Sequence, residues 1–243
     1  MKTSIAQIGA ALRSNSIPEK AVFFPKFFKT GKGQYGEGDK FLGVTVPAQR
    51  IIAKQYIGLP LAEIEELLFS QWHEERLTAL LIMVETLHKN KPNLELKKQY
   101  YEFYLEHAKN VNNWDLVDAS CRDIVGEYLL TQPEAARQVL VKLANSTDLW
   151  ERRIAMISTW AFIRAKESTW TYKIADILIV DKHDLIQKAV GWMLREAGKK
   201  VSMPELKAYL QKNHNQLGRT TLRYALERFP EKDRKRYLSG DYS

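Results

Sequence analysis

"STDLWERRIAMI" at residues 146–157 and "KHDLIQKAVGWM" at 182–193 share an order: a polar opening, Asp-Leu, then an apolar continuation at helical spacing. Asp148-Leu149 and Asp184-Leu185 are offset by 36 residues, the length of one helical hairpin. "SQWHEERLTALLIM" at 70–83 has the same polar start and apolar continuation. Units of this kind bury their apolar faces only by stacking, which produces a curved solenoid with a concave face open to a long partner. The repeated register favours that architecture over an ordinary helical bundle.

Outward from these segments the period stays helical. LAEIEELLFSQ (61–71), RLTALLIMVETLHK (76–89), LKKQYYEFYLEHAK (96–109), EAARQVLVKLAN (134–145) and ERRIAMISTWAFIRA (151–165) place apolar residues three and four apart. No stretch alternates like a strand flanked by a hairpin turn. The breaks SIPEK (16–20), GLPLAE (58–63), NKPNLE (90–95), TQPEAA (131–136) and SMPELK (202–207) combine a polar residue, a Pro and an acid. That is helix-start chemistry, because the amide that Pro lacks would be unsatisfied there anyway and an acid suits the positive end of the dipole. The reading is an all-α chain of about ten or more helices, folded as a single domain over 1–243. A Gly-rich loop at 29–43, within KTGKGQYGEGDKFLGV, is inserted between N-terminal helices. Its glycines lack a preceding strand and a following P-loop Lys-Ser/Thr, so a nucleotide cradle is not expected. Its lysines Lys29, Lys32 and Lys40 suit a nucleic acid backbone instead.

Composition bounds the partners. With 37 Lys and Arg against 29 Asp and Glu, the formal net charge is +8, which points to a polyanion. No apolar run approaches a membrane span, and the N-terminus lacks a signal-peptide h-region, so a cytoplasmic protein is expected. The one cysteine, Cys121, excludes an intramolecular disulfide, and the five histidines show no ligand-like spacing. Neither a metal nor a cofactor is expected.

The chemistry concentrates in "VNNWDLVDASCRDIVGEYLL" at 111–130, where Trp114 and Asp118 lie one helical turn apart. Trp150 is followed three residues later by Arg153, and Trp192 three residues later by Arg195. Each repeat thus offers an aromatic and a charged group on one face. A Trp at helical spacing is usually core, and a lone Arg usually pairs with a local acid such as Glu151 or Glu196. A carboxylate held among guanidinium groups stays ionised, however, and beside a polyanion it makes sense where a positive charge must be stabilised.

These motifs, NWDLVD (113–118), LWERR (149–153) and KAVGWMLRE (188–196), together with FLGVTVPAQR at 41–50, resemble the AlkD-like HEAT-repeat DNA alkylation repair proteins, which are DNA glycosylases. The resemblance runs from about residue 18 to about residue 230 and implies a HEAT-like α-α superhelix with a concave basic DNA-binding face. It implies excision of cationic alkylated purines, 3-methyladenine and 7-methylguanine, from double-stranded DNA by a monomer without a cofactor. By motif, Asp118 is similar to the family's catalytic aspartate, Trp114 and Trp192 to its aromatic pair at the lesion, and Arg153 and Arg195 to its phosphate-contacting arginines. The chain departs from the pattern in its Gly-rich insertion and in having Phe27 and Phe28 where a family Tyr would lie near DNA. Some relatives carry a basic hairpin at the insertion and bind branched DNA without excising bases. A non-catalytic HEAT-repeat protein that binds damaged or branched DNA is therefore the alternative, and a protein-binding scaffold a third.

Overall fold

A computed structural model of the chain describes residues 4–90 and 93–241, and the described residues are helical without a β-strand. The NKPNLE break falls partly outside them, at Lys91 and Pro92. The chain divides into two compact units, residues 1–120 and 121–243. No helix among the described residues is long and apolar enough to cross a membrane.

The first unit contains α1 (Ser4–Ser14), α2 (Pro18–Phe27), α3 (Val46–Ala53), α4 (Leu61–Leu68), α5 (His73–Lys89), α6 (Leu94–Glu106) and most of α7 (Trp114–Cys121). The central element is α5. Leu77, Leu80, Leu81, Ile82, Met83 and Val84 are all buried because α1, α3, α4 and α6 pack around it. The run 77–84 is buried on every side, as in a core helix, while the charged Glu74 and Arg76 before it are buried with partners.

The second unit contains α8 (Glu127–Leu130), α9 (Gln138–Ala144), α10 (Leu149–Ser158), α11 (Trp160–Arg164), α12 (Thr169–Leu178), α13 (Asp184–Lys200), α14 (Met203–Lys212), α15 (Arg219–Ala225) and α16 (Glu231–Leu238). Here α13 is central, packed by α10, α11, α12, α14 and α15. Its Gly191 meets the Thr221 carbonyl and its Gly198 the Leu206 side chain so closely that a Cβ would collide, which brings α15 and α14 against it.

The helix starts follow the expected chemistry. Pro18 opens α2, Pro60 immediately precedes α4, and Ser202 caps α14 by accepting from the Glu205 amide at 3.3 Å. Pro133 begins a 3-10 turn, Glu134–Arg137, before α9. Asn93 caps α6 by accepting from the Leu96 amide at 2.9 Å.

The repeat is built into the turns. Ser70, Ser146 and Asp181 each accept, through the side chain, the amide two residues on, from Trp72 (3.0 Å), Asp148 (3.0 Å) and His183 (2.8 Å). Six residues on, Arg76, Arg152 and Gln187 donate back to the carbonyls of those same residues at 3.0, 3.0 and 3.2 Å. A helix starts three residues after each anchor, at His73, Leu149 and Asp184. The 36-residue offset read from Asp-Leu is thus one residue long. Asp148 is the N-cap of α10, but the N-cap of α13 is His183, and Asp184 is already helical. In this register α7, α10, α13 and α15 start at Trp114, Leu149, Asp184 and Arg219, a constant 35 residues apart.

The Gly-rich stretch lies between α2 and α3 as a chain of turns. Gly43, at φ 84°, needs to be glycine twice over, since a Cβ would also meet the Ile17 carbonyl and the Ala21 nitrogen. FLGVTVPAQR owes its shape to Glu74 on α5. That carboxylate accepts from the amides of Leu42 (2.9 Å), Gly43 (2.7 Å) and Val44 (3.2 Å), and Gln49 returns a hydrogen bond to the Val44 carbonyl at 2.9 Å.

Candidate functional site

Trp114 and Asp118 both lie half-buried on α7, one turn apart, while Leu116 and Val117 between them are fully buried. The tryptophan and the carboxylate thus share a partly exposed face of the helix. After Cys121 the backbone widens into a π-helical turn, Arg122–Gly126, before α8 resumes the α form. Such bulges sit frequently at functional positions. Gly126 lets this segment approach Ser158 and Ala161, where a Cβ would clash with the Ser158 carbonyl.

The start of α7 is anchored by buried charges. His73 Nε2 meets Asp115 at 2.8 Å and its Nδ1 meets Asp39 at 3.1 Å. Arg76 donates to Asp39 at 2.6 Å, and Asn113 reaches the same carboxylate at 3.3 Å. Burial alone pushes the His73 imidazole down, but the Asp115 charge and the hydrogen bonds to Asp115 and Asp39 outweigh it and raise the pKa to about 9. Asp39 experiences the reverse balance: burial raises its pKa, but the His73 hydrogen bond and the Arg76 charge hold it below the ordinary carboxylate value. The Gly-rich segment, α5 and α7 are thus joined by one ionic network.

Trp114 leans on the aromatic cluster of α2 and the following turn. It stacks on Phe28 (5.3 Å between centroids, 24° between planes) and meets Phe27 edge-on at 5.9 Å. In the second unit, half-buried Trp192 packs edge-on against Trp160 at 5.1 Å, and the Arg122 guanidinium lies 5.0 Å from the Trp160 centroid while paired with Asp123 at 2.7 Å.

The arginines are both engaged. Arg153 is only 4% exposed and donates to the Leu185 carbonyl at 2.5 Å. Arg195 pairs with Glu196 at 3.2 Å and closely with Glu227. Of the loop lysines, all three exposed, Lys29 lies 5.9 Å from the Tyr35 ring and Lys40 donates to Gln71 at 2.7 Å.

Register shows what the motif reading obscured. Trp114 is the first residue of α7, Trp150 the second of α10 and Trp192 the ninth of α13, so the three tryptophans are not equivalent positions. Asp118 and Arg153 are equivalent: each is the fifth residue of its helix, as are Lys188 of α13 and Arg223 of α15. An acid in α7 therefore occupies the helix position that is basic in α10, α13 and α15. Trp160, Arg122, His73 and Asp39 escaped notice in the sequence because no local spacing joins residues 34 to 38 positions apart. The only signal was Asp115, a second acid beside Trp114.

All-helical among its described residues and built on a 35-residue helical repeat, the chain is of the class of helical-repeat proteins. The sequence over residues 8–229 matches the model of the DNA alkylation repair enzyme family, and the chain belongs to that family. A solved structure described as "Predicted DNA alkylation repair enzyme from Enterococcus faecalis" shares the fold, with a TM-score of 0.67 at 18% identity over 89% of this chain and 98% of that one. No curated protein matches significantly.

Proposed function

We propose that the protein is a DNA glycosylase of base excision repair, which hydrolyses the N-glycosidic bond of cationic alkylated purines in double-stranded DNA. The observation that carries this reading is Asp118, a half-buried carboxylate one turn from Trp114, in the helix position that Arg153, Lys188 and Arg223 fill in α10, α13 and α15. A protein that only held phosphates would gain by a base at that position too, since a carboxylate repels them.

The chemistry follows from charge. Alkylation at N3 or N7 puts a positive charge on the purine, and as the C1′–N9 bond breaks, its electron pair passes to the base, which leaves neutral. Positive charge then builds on the deoxyribose. The Asp118 carboxylate stabilises that charge and takes the proton from the water that attacks C1′. Trp114, one turn from Asp118, offers aromatic surface to the cation, and Trp192 is the second unit's aromatic candidate for the same role. Arg195 exchanges Glu227 for a phosphate, with Lys29, Lys32 and Lys40 as further backbone contacts. Arg153 is the weaker phosphate ligand in this scheme, because the Leu185 carbonyl already takes one of its donors. The step uses no cofactor, and one monomer suffices for it.

The test is strand cleavage at abasic sites. Incubation with methylated duplex followed by alkali should yield breaks at alkylated purines and none in unmodified duplex. Intact methylated strands after complete binding would sink the enzymatic reading and leave a protein that binds damaged or branched DNA.

A further inference from the structure

Half of the chain's net charge is concentrated in one short stretch. RTTLRYALERFPEKDRKR, residues 219–236, holds seven Lys and Arg against three acids, an excess of four in a chain whose whole excess is eight. The glycosylase scheme assigns none of these cations a role. The stretch folds as α15 and α16, and Phe229 in the turn between them meets Tyr237 of α16 edge-on at 5.5 Å, both rings buried. Beside this pair of helices opens a cavity of about 320 Å³, lined by Arg223, Tyr224, Glu227, Arg234 and Leu238.

Charge sets the kind of ligand. Glu227 pairs closely with Arg195, which also holds Glu196 at 3.2 Å, and Lys200 lies 3.7 Å from Glu196. Those two cations and two carboxylates are neutral as a group. Lys235 of α16 pairs with Glu231 at 2.7 Å. Arg223 and Arg234 are different: among the described residues neither guanidinium has a hydrogen-bonding or ionic partner. The cavity therefore presents two positive charges that the protein does not balance.

Chemistry narrows the choice. Both cations are arginines, whose planar fork matches phosphate oxygens two at a time. A phosphodiester within a strand carries one negative charge, whereas a phosphomonoester carries about 1.5 to 2 at pH 7 because its second pKa is about 6. Only the monoester balances both guanidinium groups. Size then excludes phosphate alone, which occupies a few water volumes of about 30 Å³ each and leaves most of the cavity empty. A sugar and base attached to it would fill the remainder, against Tyr224, 37% exposed, and the partly exposed Leu238.

We infer that this cavity is a binding site for a nucleotide phosphomonoester, its phosphate between Arg223 and Arg234 and its sugar and base against Tyr224 and Leu238. The ligand enters with Arg195 still on Glu227, and the inference is independent of Asp118 and of base excision. Two sources present this chemistry, a 5′-phosphorylated strand end, as at a nick, and a free mononucleotide.

The probes are deoxyadenosine 5′-monophosphate and its methyl phosphodiester, which keeps the sugar and base but loses one charge. Titration calorimetry on the full chain at pH 7.5 should show the monophosphate binding at least about tenfold more tightly, the effect of one charge-assisted hydrogen bond. That advantage should shrink below pH 6, where the monoester regains its second proton. Arg223→Gln and Arg234→Gln should each weaken monophosphate binding at least about tenfold with circular dichroism unchanged. Arg228→Gln removes the same charge from an exposed position outside the cavity and should leave the affinity within about twofold. Equal affinity for the two probes, no binding of either, or an equal loss in all three variants overturns the inference. Nicked duplexes with a 5′-phosphate or a 5′-hydroxyl then separate the sources. A preference for the phosphorylated nick that Arg223→Gln abolishes makes the strand end the ligand; equal binding of the two nicks, with monophosphate binding retained, makes it the free nucleotide.

Discussion

His73 is charged in a place where burial alone would neutralise it. Its pKa, raised to about 9 chiefly by Asp115 and Asp39 against the opposing effect of burial, exceeds the unfolded value of 6.5, so folding takes up protons in that interval. The sign is definite. The stabilisation is fully present below pH 6.5 and is lost as pH rises through 9, an amount on the order of 3 kcal/mol for this pair of pKa values. Urea denaturation at pH 6.5 and pH 9.5 should show the wild type losing more stability than His73→Gln, and parallel losses would refute the charged imidazole. For the arginines, Arg153→Ala should lower the magnitude of the DNA-binding salt slope by about one if it holds a phosphate. A slope equal to that of wild type, with a lower melting temperature, would reduce Arg153 to its bond with Leu185. Asp118 and Trp114 were visible in the sequence because they sit one turn apart. The His73–Asp39 contact was not, because 34 residues of chain separate its partners.

At the scale of elements, the anchors before α5, α10 and α13 do the same work with different residues. Ser70, Ser146 and Asp181 share only an acceptor oxygen at one position, and Arg76, Arg152 and Gln187 only a donor six residues on. The Asp-Leu coincidence therefore revealed the repeat but misaligned it by a residue, since Asp148 caps its helix from outside and Asp184 stands within. That one-residue slip, with the unequal depth of Trp114, Trp150 and Trp192, made three aromatics look equivalent. Asp148 accepts from the Trp150 and Glu151 amides at 2.8 and 3.1 Å. Asp148→Ala should therefore cost about 1 kcal/mol of stability, read as a shifted denaturation midpoint with unchanged slope, whereas Asp184→Ala, which removes no cap, should cost less. Equal costs would refute the register. The turns at 29–43 were legible as glycine-rich but not in shape, because three amides of the adjoining segment find their acceptor on Glu74, about thirty residues away.

For the whole molecule, all-helical architecture and family were both legible, the first from periodicity and the second from short motifs kept in order over most of the chain. A formal charge of +8 gives DNA binding a steep expected dependence on salt. Binding strength alone does not separate an enzyme from a binder, because both use the same lysines and arginines. Asp118 separates them, since exchanging its carboxylate for an amide keeps the shape and removes the charge. The decisive measurement is single-turnover release of 3-methyladenine and 7-methylguanine from methylated duplex, wild type beside Asp118→Asn, with enzyme in excess and binding verified for both. Release by the wild type, reduced at least a hundredfold in the variant at equal DNA affinity, is the outcome a glycosylase centred on Asp118 requires. Equal release by the two proteins, or none by either while both bind tightly, would contradict it.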